Sequence, residues 1–119
     1  MAIAAAKLGA RGVVAVDIDD KALLAAGENA RRNGVALTLL HSREPLDRQF
    51  DRVVANILTN PLRVLAPLLC ARVARGGMLA LSGVLSSQAA AVVSAYRPFL
   101  SLRIQVEREG WVLLEGTRP

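Results

Sequence analysis

The chain has 119 residues, 53% hydrophobic and 21% charged, which excludes a disordered polymer and is enough for one domain with a buried core. Its formal net charge of +5 favours acidic or nucleic-acid-associated partners. Yet the arginines are scattered, and no zinc-finger, base-stacking or helix-turn-helix pattern accompanies them, so there is no direct nucleic-acid motif and a solvated surface is the plainer reading.

The elements alternate between short apolar runs and helical patterns, which predicts a mostly parallel sheet flanked by helices. Met1 to Ala10 reads as a stub of apolar helix, set off from the first strand by Gly9 and Gly12. Val13 to Val16 is that strand, and Asp17 stands at its carboxyl end. Asp20 to Arg32 is a helix with Leu23, Gly27 and Ala30 on one face, acid at its N-terminus and Asn33-Gly34 as its stop. Gly27 inside it costs about 1 kcal/mol against alanine, so packing must hold this helix.

Val35 to Leu40 is a second strand, and His41 to Gln49, with Pro45, is a polar connection. Phe50 to Asn56 is a third strand ending in an amide. Asn60 then serves as N-cap and Pro61 as first helical residue of a helix with the stripe Leu62, Leu65 and Leu69, which Pro67 kinks or splits. Gly76-Gly77 ends it, Met78 to Ser82 is a buried fourth strand, and Ser86 or Ser87 caps a helix carrying Ala90, Val93 and Tyr96 that stops before Pro98. The tail changes period. Leu102, Ile104 and Val106 alternate with polar residues, Glu109-Gly110 turns the chain, and Trp111 to Leu114 returns as an antiparallel hairpin.

In open α/β sheets ligands bind outside the carboxyl ends of the strands, and two polar residues stand there. Asp17 suits a pair of adjacent ribose hydroxyls, which a carboxylate holds better than an amide; the plainer alternative is a capping acid shared with Asp19 and Asp20. Asn56 combines an acceptor and a donor and could aim the lone pair of a target amine; the alternative is a turn asparagine bonded to nearby backbone. Ile57 and Leu58 either wall a cofactor or simply pack. Cys70, among Leu68, Leu69 and Ala71, reads as a small core residue; as the single cysteine it excludes an intramolecular disulfide and fits a reducing compartment. His41 has no partner spacing for a metal or a triad, so no metal is expected.

The run Asn56-Ile57-Leu58-Thr59-Asn60-Pro61-Leu62-Arg63-Val64-Leu65-Ala66-Pro67-Leu68, after Val53-Val54-Ala55, resembles the motif-four segment of bacterial ribosomal protein methyltransferases of the PrmA family. The likeness extends in order to residues 2–10, to Val16-Asp17-Ile18-Asp19, to Glu28-Asn29-Ala30 with Arg32-Asn33-Gly34-Val35, and to Leu81-Ser82-Gly83-Val84-Leu85 followed by Gln88-Ala89. Asp20 and Gly27 depart from it, where a proline and a longer polar residue are expected.

The resemblance implies an α/β class I methyltransferase (Rossmann-like) sheet with S-adenosylmethionine as cofactor. The substrate it implies is the large-subunit ribosomal protein numbered eleven, methylated on amino groups. Asp17, with Ile18 beside it, would match the ribose-holding acid; Asn56 would match the residue near the methionine moiety and the entering amine, both cofactor-binding and catalytic. The expectation for residues 1–119 is a single partial methyltransferase domain that lacks the first strand, its glycine-rich loop and the family's N-terminal half. Losing that strand would leave edges open on both sides of the gap, and the isolated chain would bind cofactor poorly and be inactive. Two rivals remain open: a catalytically dead basic module that docks on a ribosomal protein or RNA, and a fragment of an NAD-dependent oxidoreductase. No apolar run reaches the roughly 18 residues of a membrane span and no secretory signal is visible, so the expected location is cytoplasmic.

Overall fold

The computed structural model describes residues 14–17, 20–36, 38–41, 48–56 and 59–119. The expectations for the opening helix, for Ile18 and Asp19, for the Pro45 connection and for Ile57 and Leu58 lie outside these residues. The chain divides into two compact units, Met1–Leu46 and Asp47–Pro119.

In the first unit, β1 (Val14–Asp17) and β2 (Thr38–His41) pair in parallel, with the helix α1 (Asp20–Arg32) between them in sequence. The second strand starts later than the sequence suggests and runs to His41, which belongs to the strand and not to the connection. Helix α1 keeps its expected bounds. It ends in a Schellman motif: Gly34 takes φ +66°, its N–H reaches the Arg31 carbonyl at 3.2 Å, and the Val35 N–H reaches Ala30 at 3.0 Å. Asn33 adds a side-chain bond to the Asn29 carbonyl at 2.8 Å, satisfying another carbonyl of the last turn. Ala30 is buried, and a Cβ on Gly27 would stand 3.2 Å from the Leu39 side chain. The glycine lets the helix approach β2 closely, which answers its cost in propensity.

The second unit holds a four-stranded sheet in the order β3 (Phe50–Asn56), β4 (Val73–Leu85), β6 (Trp111–Thr117), β5 (Arg103–Arg108). The β3–β4 pair is parallel and the other two pairs are antiparallel, so the expected terminal hairpin closes the sheet. Its turn is made by Glu109 at φ 53° and Gly110 at φ 83°, the left-handed pair that matches strand twist. Among the described residues the strands form two sheets, β1 with β2 and the four-stranded one, in which β3 stands at an edge.

Helices α2 (Thr59–Val64), α3 (Ala66–Ala71) and α4 (Ala89–Tyr96) pack on one face of this sheet. The break at Leu65 follows from Pro67, which sits in the first turn of α3 where its missing N–H is harmless. Three details differ from the sequence reading. Helix α2 begins at Thr59, so Asn60 lies within its first turn and not at a cap. Helix α3 ends at Ala71, and β4 runs from Val73 through both glycines, because Gly76 adopts φ 77° and a Cβ on Gly77 would meet the Asp51 and Ala74 carbonyls at 2.8 Å. Ser86 to Gln88 forms a 3-10 turn, so α4 starts at Ala89 with no side-chain cap, and its buried face is Ala89, Val92 and Tyr96 instead of Ala90 and Val93.

Candidate active site

Each unit, taken by itself, has a parallel strand ending in a polar residue, and ligands in α/β sheets bind outside such strand ends. In the first unit Asp17 is the last residue of β1, and α1 begins three residues later. The parallel register sets His41 directly beside Asp17 at the same end of the pair. The sequence hides that neighbour, because His41 follows an apolar run and reads as the start of the connection. A carboxylate as a residue type can accept from two adjacent hydroxyls. Ile18, the other expected cofactor contact, lies outside the described residues.

In the second unit Asn56 is the last residue of β3 and pairs with Ser82 of β4. The ladder between β4 and β6 shifts register between Leu81 and Val84, and Gly83 within that shift takes φ 80°. A bulge here bends β4 beside Asn56, a device that recurs next to active sites. From sequence Ser82 reads only as the end of an apolar strand. The signal for more is the Ser-Gly pair closing that run.

The groups with displaced proton affinities lie elsewhere. Burial pushes the Cys70 thiol up to about 11, with the Arg118 guanidinium pulling weakly the other way. Burial, and then the Cys70 thiol beside it, push the Tyr96 phenol up, and its hydroxyl donates to the Leu62 carbonyl at 2.7 Å. Both belong to the core, as the sequence suggests for Cys70.

The sequence profile described as "Ribosomal protein L11 methyltransferase (PrmA)" matches residues 1–119, the whole chain. The chain belongs to this family. Among curated relatives, the ribosomal protein L11 methyltransferase of Dechloromonas aromatica is 50% identical over 119 residues, covering 100% of this chain and 40% of the relative. That of Chromohalobacter salexigens is 52% identical over 123 residues, covering 100% of this chain and 41% of the relative. The chain therefore spans about 40% of the length of the PrmA relatives it matches. Among solved structures, a ribosomal protein L11 methylase from Lactobacillus delbrueckii superposes with a TM-score of 0.89 at 34% identity, over 98% of this chain and 63% of that one. A methyltransferase from Pyrococcus furiosus, at 16% identity and TM-score 0.76 over 89% of this chain and 62% of that one, shares the fold. The architecture is that of class I methyltransferases, and Asp17 and Asn56 are each the last residue of a strand.

Proposed function

We propose that the chain is the cofactor- and amine-binding part of an enzyme that methylates amino groups of ribosomal protein L11, using S-adenosylmethionine, in the cytoplasm. The observation that supports this best is positional. The acid and the amide of the PrmA pattern are each the final residue of a parallel strand. The terminal antiparallel hairpin, which dinucleotide domains continuing in parallel do not have, weighs against the oxidoreductase reading. In this reading residues 1–119 act as one partial methyltransferase domain.

The cofactor supplies an electrophilic methyl group on a sulfonium. Asp17 accepts hydrogen bonds from the ribose hydroxyls, and Ile18 is assigned to cofactor binding beside it. Asn56 accepts a hydrogen bond from the neutral target amine and aims its lone pair at the methyl carbon. In-line displacement needs this alignment more than a strong base, and orientation supplies much of the rate.

The test replaces the corresponding segment of the Dechloromonas relative with these 119 residues. The chimera should transfer tritiated methyl groups from S-adenosylmethionine to L11. Asp17→Ala in the chimera should weaken cofactor binding roughly 10–100-fold, the worth of a charge-assisted hydrogen bond or two. Asn56→Ala should lower kcat about 100-fold and weaken cofactor binding less than Asp17→Ala does. A folded, cofactor-binding chimera whose turnover ignores Asn56→Ala would refute the assignment. The 119-residue chain alone should bind the cofactor more weakly than micromolar in a calorimetric titration.

A further inference from the structure

The second unit separates its charges along the strand direction. Strands β3 and β4 are parallel, β6 runs back beside β4, and β5 runs forward again, so four positions meet at one end of the sheet. They are the starts of β3, β4 and β5 and the end of β6. Six arginines stand there: Arg48 before β3, Arg72 and Arg75 about the start of β4, Arg97 after α4, Arg103 opening β5 and Arg118 after β6. Among the described residues the acidic side chains at this end are Asp51 and Glu115, the latter paired across the strands with Arg103. At the opposite end, where Asn56 stands, the hairpin tip carries Arg108 between Glu107 and Glu109.

Backbone contacts hold several of these guanidinium groups in place. Arg72 donates to the Arg48 carbonyl at 3.5 Å, and Arg118 donates to the Val73 carbonyl at 2.6 Å. The Arg118 backbone also pairs with Gly76 at 2.8 Å and Gly77 at 2.9 Å. Arg48 lies over the Phe50 ring at 4.9 Å. A carbonyl or a ring orients a guanidinium without neutralising it, so these contacts of Arg48 and Arg118 leave their charge in place. Arg48, Arg75, Arg97 and Arg103 are exposed. From β3 to β5 the cluster crosses three strand spacings, ~14 Å, wide enough to meet several phosphates at once.

We propose that this arginine end docks the phosphate backbone of an RNA, leaving the opposite end of the strands open to a protein substrate. An RNA is the occupant that fits best because the donors are planar forks spread across a broad face, suited to bidentate phosphate contact. The interaction is electrostatic and sequence-tolerant, since no base-reading motif accompanies the arginines. It goes beyond the methyl-transfer reading and stands without it.

The experiment measures fluorescence anisotropy of a labelled mixed-sequence RNA hairpin with the full chain across 50–200 mM KCl. Binding should weaken steeply with salt. The triple variant Arg75→Gln, Arg97→Gln, Arg103→Gln should lower affinity about tenfold or more and flatten the log–log salt slope by roughly 2 to 3, near 0.7–0.9 for each phosphate no longer neutralised. The double variant Arg63→Gln, Arg108→Gln, placed toward the other end, should change neither. Ultraviolet cross-linking of the unaltered chain to the same hairpin, mapped by mass spectrometry, should mark peptides around 48–52, 72–75, 97–103 and 118. Equal losses in the two variants, no binding at 50 mM KCl, or cross-links confined to other segments would overturn the proposal. So would equal affinity for phosphatidylserine vesicles or polyglutamate at the same salt.

Discussion

The two faces of the four-stranded sheet differ more than their sequences do. Paired residues on neighbouring strands point to the same side, so the register sorts them. Ala55, Leu79, Leu81, Val84, Val112 and Leu114 face the helices and are buried with Leu62, Val92 and Tyr96. Val54, Leu85, Trp111 and Val106 fall on the other side, with exposures of 53%, 38%, 49% and 49%. Residues of the same type thus do different work according to parity in the strand. Only the helix-covered face contributes a core among the described residues, and the other keeps apolar side chains in contact with solvent.

The sharpest way to break that contrast is a pair of truncations. Leu81→Ala should cost about 2–5 kcal/mol by urea denaturation, because the closed layer under α2 to α4 cannot collapse onto the space. Val106→Ala should cost less than about 1 kcal/mol, mostly in strand propensity. Equal costs would mean that both faces are packed in solution.

A second test probes how dry the covered face is. Leu62 lies in the last turn of α2, where carbonyls run out of helical partners, and the Tyr96 hydroxyl supplies the missing donor. Tyr96→Phe should cost about 1–3 kcal/mol by leaving that acceptor unpaired. The same burial sets a pH dependence. The folded thiol of Cys70 keeps its proton up to about 11, whereas the unfolded thiol loses it near 9.0. The unfolded state therefore binds fewer protons in that window, and stability is fully present below 9 and falls as pH rises toward 11. Cys70→Ala should flatten the decline measured by urea denaturation at stepped pH. An unchanged profile would mean that the thiol is already wet.

Much of this is legible in the residues. Period-two and period-3.6 patterns locate the strands and helices, Pro67 announces the helix break, and Asn33-Gly34 and Glu109-Gly110 mark their turns. Asp17 and Asn56 stand out because strand ends are where such sheets bind ligands. What stays hidden depends on contacts between segments distant in sequence. The extension of β4 back to Val73 requires the carbonyls of Phe50 and Asp51 and the backbone of Arg118 beside Gly76 and Gly77, and no local pattern announces a strand through paired glycines. The buried face of α4 takes Ala89 and Val92 where the periodicity predicts Ala90 and Val93, because packing against the core selects among consecutive apolar residues that local pattern does not distinguish. His41 beside Asp17, and Ser82 beside Asn56, are products of register, which sequence specifies only weakly.

The smallest expected effect asks whether the covered face in the first unit is as unforgiving as that in the second. Alanine at position 27 gains about 1 kcal/mol of helix propensity over glycine. Against this, the new methyl would stand 3.2 Å from the Leu39 Cδ1, closer than comfortable contact, although the obstacle is the far end of a flexible side chain. The two effects should nearly cancel, leaving Gly27→Ala within about 0.5 kcal/mol of neutral. Hydrogen exchange of the α1 amides is the readout, since it reports on this helix apart from the larger unit. Adding Leu39→Val shortens the obstacle and should release the propensity gain, so that α1 amides exchange more slowly in the double variant than in Leu39→Val alone. A Gly27→Ala chain whose α1 amides are already strongly protected would show that α1 rests loosely on β2, and the two units would then differ in kind as the two faces of the larger sheet do.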